Sequence, residues 1–274
     1  MIVCVETLKE RLTIGMKRAI FALMAIIWST QAGAEGIRHK FIVQVGPFDA
    51  ARTELEFNLN AQDFSVISKV KTNGLFDLVY PFSAQYSSLG KILADETLLT
   101  QKYASDSQSS RTHRTKELFY NNQGLPIYRL SAKNNKKKRV DIPQEPQNLG
   151  TTDLQTAMAQ IAFQYRNVGF CQARLEIFDG KRRFAAVFQD NGNEHLTANE
   201  YSSLTGQAHK CLFYIDKLDN DDDDLIWQIS QENPINLWIM QDKQTKLPYI
   251  ARIHMNNTPL GELNAYTTHI SLTD

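Results

Sequence analysis

The dominant period along the chain is two. Thr53-Glu54-Leu55-Glu56-Phe57-Asn58-Leu59 alternates polar and apolar side chains, and Asn236-Leu237-Trp238-Ile239-Met240 does so less strictly. Such alternation gives an extended strand one face for a core and one for water. Turn signals bound these runs at Asn73-Gly74, Asn122-Gln123-Gly124, Asp179-Gly180, Asn191-Gly192 and Asn256-Asn257. Many short strands joined by Gly and Asn turns predict a mainly β, antiparallel architecture. The clearest hairpin joins 174–178 to 181–185 through Asp179-Gly180, a pair suited to the positive φ values of a type I′ turn. A two-residue turn there sets Glu176 opposite Arg183, a ready ion pair, and Ile177 opposite Arg182. Arg182 then stands among Leu175, Ile177 and Phe184, where a guanidinium either snorkels to water or holds an anion.

One segment follows a different period. Leu154, Ala157, Met158, Ile161, Ala162, Tyr165 and Val168 share one face of a helix expected over about 153–168. Thr152 with Gln155 makes a capping box, and Gly169 stands where a left-handed C-terminal cap belongs. The helix is expected to pack on the sheet, with its Met and Tyr as core contacts. The stretch 131–150, carrying Lys136-Lys137-Lys138-Arg139 and then Pro143 and Pro146, reads as the connection between an N-terminal β half and the helix-plus-hairpin half. The expected whole is a strongly bent antiparallel sheet, partly closed into a barrel or spiral, with one packed helix.

The N-terminus reads as an address instead of structure. Met16-Lys17-Arg18 is a basic start, 19–28 is apolar and uncharged, and Ala32-Gly33-Ala34 offers a small-x-small cleavage site before Glu35. Residues 1–34 are therefore expected to be a signal peptide, with 1–15 lying upstream of the true start, and 35–274 a single exported domain. The apolar run is too short to span a bilayer, so no transmembrane span is expected in the mature chain. Cys4 leaves with the leader, and Cys171 and Cys211 remain as a pair that an oxidising compartment favours as a disulfide. Closing a loop of about 40 residues, it would add ~4 kcal/mol in the chain-entropy view.

Composition narrows the partners. The chain has 274 residues, 30 basic and 30 acidic side chains, and a hydrophobic fraction of 42%. That apolar content suits a folded globular domain, and zero net charge gives no bulk attraction to nucleic acid. The basic run 136–139 has no interleaved aromatic platform, so nucleic acid is not an expected partner. A solvated loop is its plain reading, and contact with an anionic envelope glycolipid its sharper one.

The second half carries a recognisable pattern. Phe178-Asp179-Gly180-Lys181-Arg182-Arg183-Phe184, then Tyr201, Gly206, Ala208 and Cys211, then Leu237-Trp238, Leu247-Pro248-Tyr249-Ile250 and Thr258-Pro259-Leu260-Gly261-Glu262 together resemble the bacterial exported family called domain of unknown function 3108. The resemblance spans about residues 40–272 and is most specific from 171 onward. Ser203-Leu204-Thr205-Gly206 lengthens one step of that pattern, and Thr152-Asp153 stands where the family usually has Asp-Pro before the helix. What the resemblance implies is a periplasmic β-sheet protein, and nothing catalytic.

Catalytic signatures are thin. Ser88-Leu89-Gly90-Lys91 fits a Ser-x-x-Lys pattern, but its companion motifs are missing and it lies in a strand-like stretch. No Gly-x-Ser-x-Gly elbow, His-Glu-x-x-His pair or phosphate-cradling Gly loop occurs, so no cofactor is expected. The histidines at 39, 113, 195, 209, 254 and 269 are scattered; His209 and Cys211 lie close enough to share a metal, but Cys211 is better used in the disulfide. The acidic positions Asp219 and Asp221 to Asp224 lack the Gly and distal Glu of a calcium loop, so no metal is expected. Two functions fit. One is a non-enzymatic envelope protein binding a lipid-like or peptide-like partner in the concave side of its sheet, with Arg182 as the anion contact. The other is a periplasmic hydrolase of an envelope polymer. An apolar-lined cavity favours the first, and two carboxylates facing across a cleft the second.

Overall fold

Alternation becomes geometry in the first strands. In β1 (Glu35–Val45), Ile37, His39 and Phe41 are buried while Lys40 between them is exposed. Opposed residues of antiparallel strands share a face, so β2 (Phe48–Leu59) and β3 (Asp63–Thr72) extend that surface through the rows Ile37, Phe57, Val66 and His39, Leu55, Ser68. The computed structural model describes residues 35–60, 62–219, 228–243 and 245–273. Cys4, the leader with its cleavage position after Ala34, and Asp221 to Asp224 lie outside the described residues.

Two antiparallel meanders make one sheet. The first continues through β4 (Phe82–Ile92), β5 (Leu98–Ser109), β6 (His113–Tyr120), β7 (Pro126–Lys133) and β8 (Lys136–Asp141). The second comprises β9 (Ala173–Phe178), β10 (Arg183–Leu196), β11 (Gly206–Asp219), β12 (Ile235–Gln241), β13 (Pro248–Thr258) and β14 (Gly261–Thr273). The last strand pairs with the first, β14 on β1, giving a 14-stranded sheet that runs from β8 at one edge to β9 at the other. Between β3 and β4 lies a short helix α1 (Gly74–Val79), and between β8 and β9 the long helix α2 (Leu154–Val168).

The sheet is bent without closing. Its β9 end approaches the inner face of β6 and β7: Lys116 Nζ donates to the Asp179 carbonyl at 3.0 Å and Arg129 Nη1 to the Gly180 carbonyl at 2.7 Å. Beneath them Phe178 packs with Leu118, Tyr120 and Ile142. The segment before α2 covers part of the β9 edge, with Thr152 bonded to Glu176 and Phe178 through the backbone. The basic run 136–139, expected as a connection, is the edge strand β8 itself. Its charged, exposed side chains are of the kind that keep an open edge from pairing with another chain.

Two turn signals are bulges within long strands. Asn191-Gly192 lies inside β10, where pairing with β11 shifts between Asp190 and Asn193, and Asn256-Asn257 lies in β13 at a shift between Met255 and Thr258. Asn73-Gly74 starts α1 instead of a tight turn.

Helix α2 spans the expected residues but is capped one position later. Asp153, not Thr152, is the N-cap and accepts from Thr156 N, while Gln155 turns away to accept from Ser68 Oγ at 2.7 Å. Gly169 is left-handed at φ 74° and closes the helix on Tyr165. The helix lies on the inner face. Ala157, Ile161 and Tyr165 join Phe184, Phe188, Phe213 and Leu237 in one core cluster, and Ala159 joins Ile37, Phe57 and Leu247 in a second. Cys171, just past the C-cap, lies at disulfide distance from Cys211 of β11, with both sulfurs buried in the first cluster.

Asp153 fastens the helix to β4 and β5. Its carboxylate accepts from Ser88 Oγ at 2.6 Å, Thr100 Oγ1 at 3.1 Å and Thr156 Oγ1 at 2.7 Å. Burial pushes its pKa up, against the pull of those bonds. Asp153→Ala removes a helix cap and leaves buried hydroxyls without their acceptor, a loss expected at about 3 kcal/mol. Asp153→Asn, which keeps one of the two acceptor oxygens, should lose less in urea unfolding.

Candidate functional site

Helix α2 fills much of the concavity, so what remains for a ligand is a cleft along one side of it. Small residues create the gap: Ala159 and Ala162 of α2 face Ile37, Leu55 and Phe57 on one side and Leu237, Ile239 and Tyr249 on the other. Met158 borders it, and the void measures about 50 Å³, room for ordered water or the end of a slim chain.

At its wall stands His39. The side chain is 3% exposed, and neither ring nitrogen has a hydrogen-bond partner among the described residues. Its neighbours are rings, Phe41 at 6.0 Å and Tyr249 at 6.2 Å between centroids. Burial lowers its pKa from 6.5 to about 4, so the imidazole is neutral at pH 7, with one donor and one acceptor unused. Each unsatisfied buried group costs about 1–3 kcal/mol. A ligand hydroxyl, amide or un-ionised acid brought into the cleft would recover that cost. The pattern could have shown this: His39 alternates with Ile37 and Phe41 on an apolar face.

Arg182 is not where a two-residue turn would put it. Arg183 pairs with Phe178 and Phe184 with Ile177, so residues 179–182 form a four-residue loop closed by Asp179 N to Arg182 O at 3.1 Å. Asp179 Oδ1 accepts from the backbone amides of Lys181 and Arg182, at 2.9 Å each, which fixes the loop. The Arg182 guanidinium returns to Asp179 Oδ2 through Nε at 2.8 Å. For Asp179, burial works to raise the pKa but is outweighed by Lys116 and Arg182, leaving it lowered. The expected Arg183–Glu176 pair forms at 3.2 Å, diagonally instead of directly opposed.

The other sequence candidates separate. Ser88 points inward to Asp153, while Lys91 pairs with Asp63 at 2.5 Å, so the Ser-x-x-Lys pair is not assembled. His209 contacts Asp190 through Nε2 and Asn193 through Nδ1 at 3.1 Å. Cys171, Asp190 and His209 form the metal-like cluster among the described residues, but the Cys171 sulfur is engaged with Cys211. A larger hollow of about 690 Å³ on β1–β5 is bordered by charged side chains, Lys40, Arg52, Glu54, Lys69, Lys71 and Asp106, of which Lys69 pairs with Glu54 at 3.6 Å.

Comparison with known proteins agrees on fold. A model of the family described as "Protein of unknown function (DUF3108)" matches residues 40–266. No curated protein matches. Among solved structures, a crystal structure of a β-barrel-like protein of domain of unknown function DUF1849 from Brucella abortus is similar, with a TM-score of 0.54 and 11% identity over 88% of this chain and 98% of that one. At that identity the likeness concerns the fold alone.

The buried imidazole predicts an acid-sensitive core. With its folded pKa depressed from 6.5 to about 4, His39 binds fewer protons folded than unfolded in that interval, so stability falls as pH drops through it. The expected loss from this residue is about 2 kcal/mol between pH 7 and pH 5. Urea melts at the two pH values should show His39→Leu losing less by that amount, with Asp153 and every other titrating group common to both proteins.

Proposed function

The chain belongs to the DUF3108 family of proteins of unknown function, and from that premise we propose that it is a non-enzymatic protein of the bacterial cell envelope that binds an amphiphile. The apolar end of the ligand enters the cleft beside α2, and a polar group on it bonds His39. The observation that carries this reading is an imidazole with two unused hydrogen-bonding atoms in a wall of aliphatic and aromatic side chains. Folded proteins pair the large majority of such groups, with protein, ordered water or a ligand. Met158 supplies the adaptability, since an unbranched thioether repacks around inserted chains at low cost.

The aliphatic lining supports binding over hydrolysis of an envelope polymer, for which two facing carboxylates would be needed. We assign the polar contact to His39 in preference to Arg182, whose guanidinium is already held by Asp179. For location we propose the periplasm. The leader pattern ending at Ala34 and the Cys171–Cys211 pair at bonding distance support it.

Titration with cis-parinaric acid, a fluorescent fatty acid, tests the binding. Wild-type protein should enhance its emission with micromolar affinity. Ala162→Phe, which fills the cleft, should weaken binding at least about tenfold while the protein still melts cooperatively, and His39→Leu should weaken it less, by about the worth of one hydrogen bond. Undiminished binding by a folded Ala162→Phe protein would refute the cleft as the site. Export has its own check: the periplasmic form should begin at Glu35 and yield, without reduction, joined peptides containing Cys171 and Cys211.

A further inference from the structure

In an antiparallel meander the turns after odd-numbered strands of the first half fall at one end, and the β13–β14 turn joins them because β14 starts beside the end of β1. Hydrogen bonds tie these turns into a continuous rim. Gly46 N donates to Glu262 O at 3.0 Å, linking the β13–β14 and β1–β2 turns, and Asn73 N donates to Ala50 O at 2.9 Å, linking the latter to α1. Asp77 of α1 and Pro81 share a hollow with Ser109 and Ser110 of the β5–β6 turn. Asn134 of the β7–β8 turn bonds the backbone of His113 in both directions, at 2.8 and 2.9 Å.

Two features of this rim are unexplained by folding. The first is apolar exposure: Leu78 is 81% and Val79 86% exposed, with Leu75 and Tyr80 beside them and Phe48 on the neighbouring turn. Apolar side chains clustered on a protruding turn contribute nothing to the core. The second is like charge set against like charge. Arg114 pairs in register with Lys133, and Lys133 with Lys136, a cross-strand row of three cations on β6, β7 and β8. Direct opposition of like charges is destabilising. Edge protection accounts for Lys136 but not for Arg114 and Lys133, which lie on internal strands. None of the three makes an ion pair among the described residues. Among the described residues none of the rim's acids pairs with these cations: Asp49 pairs with Arg52 at 3.5 Å, Asp77 accepts from the Thr72 hydroxyl at 2.9 Å, and Glu262 lies 3.3 Å from His254.

We infer that this rim docks on an anionic phospholipid bilayer, Leu78, Val79 and Tyr80 entering the headgroup region while Arg114, Lys133 and Lys136 meet the lipid phosphates. A convex apolar turn needs no matching pocket in a fluid interface, and the cation row supplies the charge complementarity that selects an anionic one. The inference rests on the rim alone and is independent of the cleft.

Co-sedimentation of the mature chain, residues 35–274, with vesicles tests it. The protein should pellet with phosphatidylethanolamine–phosphatidylglycerol vesicles, release as salt is raised, and stay in solution with phosphatidylcholine vesicles. Leu78→Ser with Val79→Ser, both at exposed positions, should lower partitioning about tenfold or more, and Arg114→Glu with Lys133→Glu should do the same. Tyr80→Trp reports insertion directly: brominated lipid in the anionic vesicles should quench it beyond any quenching of wild type, whose mature chain carries Trp227 and Trp238. The inference is overturned by failure to pellet, by equal binding to phosphatidylcholine, by folded variants that partition like wild type, or by a Tyr80→Trp protein quenched no more than wild type.

Discussion

Everything in this fold turns on how α2 is held against the inner face of an open sheet. Neither meander buries its own apolar face, because a bent sheet without closure leaves its concave side uncovered. The helix supplies the missing layer for both at once, through Ala157, Ile161 and Tyr165 on the β10–β12 side and Ala159 on the β1–β3 side. Fully burying one large side chain such as Phe184 or Phe188 stabilises by about 1.5–3 kcal/mol, so losing the helix would expose more than a domain's net stability can absorb. Asp153 sets its position, since a capping carboxylate that also takes hydroxyls from β4 and β5 allows one entry angle for the helix.

The fastening is uneven, and the cleft follows from that. Hydrogen bonds from α2 reach β3 through Gln155, β4 through Asp153 and β5 through Gln160, whose Oε1 accepts from Leu98 N at 2.7 Å. Toward β1, β12 and β13 the helix presents Met158, Ala159 and Ala162 to Ile37, Leu237 and Tyr249 through apolar contact alone. Apolar contacts of small residues are the easiest to part, because they forfeit dispersion and area without stranding a polar group. The unpartnered imidazole of His39 lies on that side.

Most of the fold was legible in the sequence because its cause is local. Alternation through 53–59 and 236–240 became β2 and β12, and the 3.6-residue spacing from Leu154 became α2. What escaped depends on distant partners. Asp153 caps the helix instead of Thr152 because Ser88 and Thr100 converge on it from strands more than fifty residues away. The Asp179 loop widened because its side chain bonds the amides of Lys181 and Arg182, and the widening removed Arg182 from the strand row. The run 136–139 could be read as a loop from its charge, since β8 is exposed throughout 136–139 and has no buried face there to give alternation. His39 was visible by position yet unreadable in role, because emptiness around a nitrogen is a property of the packed interior.

The rim and the cleft share one surface, which bears on how they would work together. From Val45, where β1 ends, to His39 is six residues, about 20 Å of strand. The register places Phe41, Thr53, Val70 and Ala84 in the row between, on the same face as His39. Phe41 and Ala84 are buried and Thr53 and Val70 are half-buried, so this row is neither a solvated strip nor a charged barrier. An amphiphile leaving a bilayer at the rim would therefore meet mostly apolar side chains along the inner face before reaching the imidazole. The energetic cost of extraction would fall on its headgroup, since Arg114, Lys133 and Lys136 lie on β6 to β8, five or more strands from β1.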